Sequence, residues 1–219
     1  MDKESWNIAV QAYSEANFLS SWEYGQSQEA AGAEVLHYNS SSADIFQAVV
    51  RDARRGRYLE IGGGPLLDWS NPGPTVQAIK DLATDKDCVF VRVRPQLVKS
   101  DESMRLMAGL GFATAPMHLL AEHTSIIDLS PTVDDLLAAM RKKTRYEVRQ
   151  AAKKSIYVSV DTSKEALVSF VDLMQETSQR QNFVLPPRDQ LLVEILELSN
   201  LDTKLYHACL LYTSDAADE

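Results

Sequence analysis

Between Glu34 and Ile61 three β-rich segments follow one another with only short turns between them. They are Glu34 to Tyr38, Asp44 to Ala53 and Arg57 to Ile61, the last two joined at Arg54-Arg55-Gly56. Connections this short suit antiparallel neighbours, because a parallel pair needs a crossover of about a dozen residues or more. A helical pattern over Thr75 to Thr84 then leads to a further β-rich run, Cys88 to Val93, bounded by Arg94-Pro95 and expected as a buried strand. A meander followed by a helix and a further strand points to a mixed α/β (α+β) fold and not an all-helical one.

The remaining pattern continues this alternation. Asn17 to Ala31 reads as a helix with Trp22 near its middle, and Ser103 to Leu110 as a helix stopped by Gly111. His123 to Leu129 reads as a strand. Pro131 and Thr132 open a long helix, with Asp134 and Asp135 near its positive N-terminal end. Ile156 to Val160 is a strand, and Thr162 or Ser163 caps a helix carrying Leu167, Phe170, Val171 and Met174 on one face. Pro187 starts a helix running to Leu198, and Lys204 to Ala208 begins another strand. A domain boundary fits near Ser155, dividing residues 1–154 from a second unit at 155–208 that holds too few strands for a complete sheet.

The helix from Pro131 carries the strongest chemical signal. Arg141 to Lys154 holds seven cations against Glu147 alone, inside a chain whose formal net charge is −9. A cationic block in an acidic protein is not needed for solubility, so it points to a polyanion such as phosphate or nucleic acid. Val133, Leu137, Met140, Thr144, Val148 and Ala151 form an apolar stripe, while Arg141, Arg145, Arg149 and Lys153 form a cationic one rotated away from it. The helix is therefore expected to bury one side and present positive charge on another.

Other candidate chemistry is weaker. Gly62 to Gly64 follows a strand, but matches neither a Walker loop nor a dinucleotide fingerprint, and reads as a structural bend. Cys88 and Cys209 are the only cysteines, which excludes a disulfide framework and fits a reducing cytoplasm. Cys88 reads as a core thiol. His37, His118, His123 and His207 lack ligand spacing, so no metal site is expected; His123, at a strand start, is a catalytic candidate, but a lone histidine there reads as structural. Arg92 and Arg94 alternate on one strand face and suit a phosphate or carboxylate, or an edge-strand ion pair. No catalytic residue can be assigned. No apolar run reaches the length of a membrane span, and the polar N-terminus lacks a secretory h-region.

The last eleven residues, 209–219, read as foreign: Cys209 to Ser214 is the translation of a transposon end used in sequencing libraries. The natural chain is expected to diverge after Ala208. Setting aside Asp215, Asp218 and Glu219 leaves a charge of −6.

Seven stretches in order resemble the Fem family of peptidoglycan bridge-forming peptidyltransferases. They are Phe18-Leu19 with Trp22 to Gln26; Arg57-Tyr58 with Gly63 to Asp68; Val91 to Pro95; Gly111-Phe112; His123-Thr124 with Asp128 to Ser130; Lys143 to Ala151; and Phe183 to Pro187. The likeness runs from Phe18 to Ala208. It implies two tandem acetyltransferase-like (GNAT) domains, the first complete in residues 1–154 and the second cut short. It also implies an aminoacyl-tRNA donor with no other cofactor. The acceptor would be an amine on the stem peptide of a lipid-linked or nucleotide-linked peptidoglycan precursor, met in the cytoplasm with peripheral contact at the inner membrane face. The fragment itself is expected to be inactive.

The resemblance also sets expectations for particular residues. Gln26 stands where some members carry a phosphate-binding lysine, and Arg94 where a carboxylate was proposed to assist catalysis. Pro186 stands near a precursor-binding arginine, with Arg180 and Arg188 the nearest substitutes. The CoA-binding pattern of ordinary acetyltransferases is missing, and Arg105 to Gly111 has the wrong spacing for it, in agreement with a tRNA-borne donor. Arg141, Lys142, Arg145 and Arg149 are the expected contacts to tRNA or precursor phosphates; Trp22, Gln26, Arg92 and Arg94 are expected to line an acceptor cleft. Two competing readings are a GNAT-like N-acyltransferase using another acyl donor, and a non-catalytic polyanion-binding protein.

Overall fold

The computed structural model describes residues 1–40, 43–116, 125–154, 156–198 and 204–210. The chain opens with α1 (Lys3–Gln11), whose first turn is closed by the Asp2 carboxylate accepting from the Ser5 N–H at 2.9 Å. A short 3-10 turn (Phe18–Ser20) and α2 (Trp22–Ala30) follow, then β1 (Glu34–Asn39), β2 (Ile45–Ala53) and β3 (Gly56–Ile61). Helix α3 (Gly73–Asp85) connects to β4 (Phe90–Val93), and α4 (Asp101–Gly109) comes next.

These strands form one sheet in the order β1-β2-β3-β4, antiparallel across the first two junctions and parallel between β3 and β4. The meander is thus as expected, and α3 supplies the crossover that a parallel pair needs. On one face Phe46, Ala48, Val50, Leu59 and Ile61 pack against Ile79 and Ala83 of α3. On the other, Ile45 and Leu66 join Trp6 and Val10 of α1.

The second part contains α5 (Val133–Ala139), α6 (Lys142–Lys153), β5 (Ile156–Val160), α7 (Lys164–Gln181), α8 (Arg188–Leu198) and β6 (Tyr206–Leu210). Strands β5 and β6 pair antiparallel, with Tyr157 opposite Cys209. Arg188 grips Asp172 through two nitrogens, at 2.8 and 2.9 Å, and so fastens α8 to α7. Helix α8 also packs against α2.

Four expectations are corrected. The helix anticipated over Asn17 to Ala31 is interrupted at Ser21, whose backbone is extended; the Asn17 and Ser21 side chains each accept a nearby N–H and start separate turns. The run from Cys88 is not a buried strand. Only Phe90–Val93 pairs, at one edge of the described sheet, and Val89 is 66% exposed. Of the strand anticipated over His123 to Leu129, residues 123 and 124 lie outside the described residues, while Ser125–Leu129 adopts no regular structure and Ile126 is 96% exposed.

The fourth correction concerns the basic helix, which is two helices. Met140 is extended (φ −68°, ψ 154°) and Arg141 starts the second as its N-cap residue, without a side-chain capping bond. The break separates Val133 and Leu137 from Thr144, Val148 and Ala151, so no single buried stripe runs through the segment. Val133, Tyr146 and Val148 are all exposed.

Candidate functional site

The sheet face beneath α2 carries polar side chains where the α3 face is apolar. Strand alternation places His37, Gln47, Arg51, Tyr58, Glu60 and Arg92 there. Two clusters result, one at each side of α2.

In the first, His37 is held between two indoles. Trp22 stacks on it with ring centroids 4.1 Å apart, and Trp6 meets it edge-on at 4.6 Å. The Gln47 amide, in the orientation that satisfies its neighbours, donates to His37 Nε2 at 2.8 Å and to the Ser21 carbonyl at 3.2 Å. It also accepts from the Gly25 N–H at 3.2 Å. Gly25 is required by this approach, since a Cβ there would lie 2.5 Å from the Gln47 side chain. Burial pushes the His37 pKa down, so the ring is held neutral. Nearby, burial opposes ionisation of Glu23, yet hydrogen bonds from its own N–H and from Asn7, together with Lys3, hold its pKa below the usual range.

In the second cluster, Arg51 donates from Nε to Glu60 at 2.9 Å and from Nη2 to the buried Gln28 at 2.5 Å. Glu60 stands opposite Arg92 in the β3–β4 register, and two residues away on the same face Tyr58 stacks on Phe90 at 4.8 Å. Tyr24 of α2 lies close by, with its pKa pushed up to about 12, mainly by burial. Arg51 works against that shift, whereas Glu60 and Glu194 of α8 add to it. A neutral phenol beside an Arg–Glu pair can orient and hydrogen-bond a ligand, but it supplies no activated nucleophile. Among the described residues no His, Cys, Asp or Glu cluster is arranged to hold a metal.

Beside β4 lies a groove of about 740 Å³, walled by Phe90, Val93, Met104, Met107 and Phe112 and carrying Arg92. An apolar trough with one cation suits a ligand that has an aliphatic body and an anionic or carbonyl group. Sequence reasoning missed Tyr24, Gln28, Arg51 and Glu60. The available signal was the alternation of Tyr58 with Glu60 and of Phe90 with Arg92 on neighbouring strands.

The residues expected to share an acceptor cleft are dispersed. Trp22 is half-buried against His37, and Gln26 points to solvent from α2. Arg92 lies on β4, three strands along the sheet from His37 on β1, and Arg94 follows the end of β4, where its N–H donates to the Ile61 carbonyl at 2.9 Å. Gly62 to Gly64 is a packed bend: the Gly63 carbonyl accepts from Ser20 Oγ at 2.7 Å, and a Cβ on Gly63 would lie under 3.0 Å from Asn17, Leu19 and Ser20. Cys88 is half-buried and its thiol pKa is raised by burial. Arg188 is paired with Asp172, while Arg180 is exposed. His118 and His123 lie outside the described residues.

The basic residues form a separate surface. Arg141, Lys142, Arg149 and Lys153 of the α6 region are exposed, and among the described residues none of them is ion-paired. Lys143 approaches Glu147 at 3.8 Å. Arg145 differs from them, because its Nη1 donates to the Ala138 carbonyl at 2.8 Å and also to the Met140 carbonyl. The break at Met140 leaves those carbonyls without helical partners, and the Arg145 guanidinium fills that role. Among the described residues no hydrogen bond or ion pair joins α6 to the β1–β4 sheet, so the two candidate surfaces are distinct.

A meander extended by a parallel crossover strand, with helices on both faces and an apolar groove at the last strand, defines a mixed α/β fold. Comparison with known proteins is specific. Residues 109–189 match the FemAB family. The chain also shares its fold with the crystal structure of FemX, at a TM-score of 0.76 and 16% sequence identity over 95% of this chain. The match spans 56% of the FemX chain. The family match covers residues 109–189 of the chain, and the likeness to FemX is one of fold.

Proposed function

We propose that this chain is part of a peptidoglycan bridge-forming aminoacyltransferase, which moves an amino acid from aminoacyl-tRNA to an amine on the stem peptide of a lipid-linked or nucleotide-linked precursor. The observation that carries this reading is the unneutralised cation row of α6. It lies within the segment that matches the FemAB family, in a chain that is otherwise acidic. Arg141, Lys142 and Arg149 are the proposed phosphate contacts. Arg145 is left out of that set because α5 occupies it.

In the proposed reaction the acceptor amine attacks the aminoacyl ester carbonyl. The tetrahedral intermediate collapses with loss of the tRNA 3′ end as the alcohol, and the amine proton passes to solvent or to the leaving oxygen. Ester aminolysis is downhill, so rate depends on positioning and on donors aimed at the oxyanion. The groove beside β4, with Arg92 on its wall, is the proposed acceptor site. Tandem acetyltransferase-like domains, a cytoplasmic setting with peripheral contact at the inner membrane face, and inactivity of residues 1–219 alone belong to the same proposal. No helix among the described residues is long and apolar enough to cross a membrane.

The test uses the natural gene recovered past Ala208, incubated with labelled aminoacyl-tRNA and the precursor. Label appearing in an amide on the stem peptide supports the reading. Transfer only from a CoA thioester replaces it with a different acyl donor. Polyanion binding without transfer from either donor replaces it with a non-catalytic role.

A further inference from the structure

Tyr146 is the one aromatic residue of α6, and it is 61% exposed. Among the described residues it makes no hydrogen bond or ring contact. On a helix its neighbours are the residues three and four away, which are Lys142, Arg149, Gln150 and the Glu147-paired Lys143, with Lys153 one turn further on. The ring is thus set among three unpaired cations. The opposite side of the helix carries Thr144 and Ala151; Ala151 is half-buried, and α6 packs on β5. The cationic side is therefore free of an apolar strip that could enter a bilayer, and Tyr146 stands alone on it.

We infer that Tyr146 is a stacking platform for an unpaired RNA base whose flanking phosphates are held by Lys142, Arg149 and Lys153. This rests on the reading of α6 as the RNA-contacting element. It adds that the bound RNA is single-stranded at that point. The chemistry follows from the arrangement. A flat exposed ring offers stacking to any base, because every base has a π-face, and adjacent cations neutralise the backbone on either side. Lys142 and Tyr146, like Arg149 and Lys153, are separated by one helical turn of about 5–6 Å. A paired helix conceals the faces of its bases and is recognised mostly by shape and backbone, so an aromatic platform selects an unpaired segment.

The test measures binding of a fluorescent single-stranded RNA oligonucleotide ending in CCA-3′ to the 219-residue chain across a range of salt. Tyr146→Ala is expected to weaken binding roughly ten-fold while leaving the salt slope unchanged. Tyr146→Phe is expected to bind as the parent does, and Tyr146→Leu as weakly as Tyr146→Ala. Replacing Lys142, Arg149 and Lys153 by Gln is expected to weaken binding and flatten the salt slope by about two. Melting temperature should not move in the Tyr146 variants, since the ring is exposed.

If Tyr146→Ala binds normally while the Gln variant does not, the stacking role is overturned and RNA contact by α6 stands. A Tyr146→Phe variant as weak as Tyr146→Ala also overturns it, by assigning the effect to the hydroxyl. Absence of RNA binding by the parent chain overturns both readings; capture by anionic phospholipid vesicles instead would reassign α6 to a membrane surface.

Discussion

The indole of Trp22 lies nearly parallel to the imidazole of His37, at 16° and with ring centroids 4.1 Å apart, so one face of the histidine is closed to water. Trp6 closes another side, and Gln47 donates to Nε2, a bond only the neutral ring can accept. Burial therefore lowers the folded-state pKa of His37 below its ordinary value. The sign of the consequence is fixed by proton linkage. Below the unfolded pKa of about 6.5 the unfolded chain takes up a proton that the folded chain refuses. Stability from this site is complete above that pH and declines as pH falls toward the depressed folded value. The urea midpoint of the protein should exceed that of His37→Gln at about pH 7, and the gap should narrow by about pH 5. A gap that does not change with pH would exclude a buried neutral imidazole.

Gly63 and Gly73 should respond oppositely to alanine. A methyl group at Gly63 meets Asn17, Leu19 and Ser20 at 2.7–2.9 Å, in a buried bend anchored by Ser20. Overpacking of this kind costs about 1–3 kcal/mol. Gly73 opens α3 with nothing within 4 Å of the added carbon. There alanine should be neutral or stabilise by about 0.4–1 kcal/mol, by restricting the unfolded chain. Chemical denaturation of the two single variants checks both signs. A neutral Gly63→Ala would show that the bend yields, and would remove the packing explanation for that glycine.

The sheet was legible because its strands are short, β-branched and punctuated by turn residues. Arg54-Arg55-Gly56 and the alternation in Phe46, Ala48 and Val50 predict the β2–β3 hairpin without reference to anything distant. Helix α1 was also written locally, in the Asp2 cap and the spacing of Trp6, Ala9, Val10 and Tyr13, although a polar N-terminus concealed it. The break at Met140 was not legible. Apolar residues continue at helical spacing straight through it, and what stabilises the break is a guanidinium five residues later. Nor was the polar cluster beneath α2. Gln28 falls within an expected helix and Arg51 and Glu60 within expected strands, and only the packing of α2 against the sheet makes them partners. Periodicity reports an element and its buried face; it does not report which polar side chains two elements will share.

Arg51 should therefore be costly to remove. Arg51→Met leaves Gln28 Oε1 and the Glu60 carboxylate without their donor in a largely buried setting. The loss of a charge-assisted pair of bonds should cost about 1.5–3 kcal/mol. Combining it with Glu60→Leu should recover part of the loss, because the stranded carboxylate is then gone. A double-mutant cycle in urea measures the coupling. Additive costs would mean that the two side chains adjoin without stabilising one another.

Arg145 and Arg149 lie one turn apart on α6 and have the same chemistry, but the structure gives them different tasks. Arg145 bonds two carbonyls at the end of α5 and so sets the angle at which α5 enters α6, whereas Arg149 stands in solvent without an ion partner among the described residues. Arg145→Ala should raise amide exchange across Val133–Ala139 several-fold, since those carbonyls lose the Arg145 donor, while leaving the β1–β4 sheet protected. Arg145→Lys should restore protection only in part, because the lysine ammonium ends one bond short of the Nη1 that reaches both carbonyls and sits on a more flexible stem. Arg149→Ala should leave exchange unchanged and weaken RNA binding by itself, with a reduced salt dependence. Reversing both charges at once would mix a conformational change with an electrostatic one, so the single variants are the informative pair. If Arg149→Ala also released α5, the cation row would be a structural feature of the α5–α6 junction and not a surface kept for a polyanion.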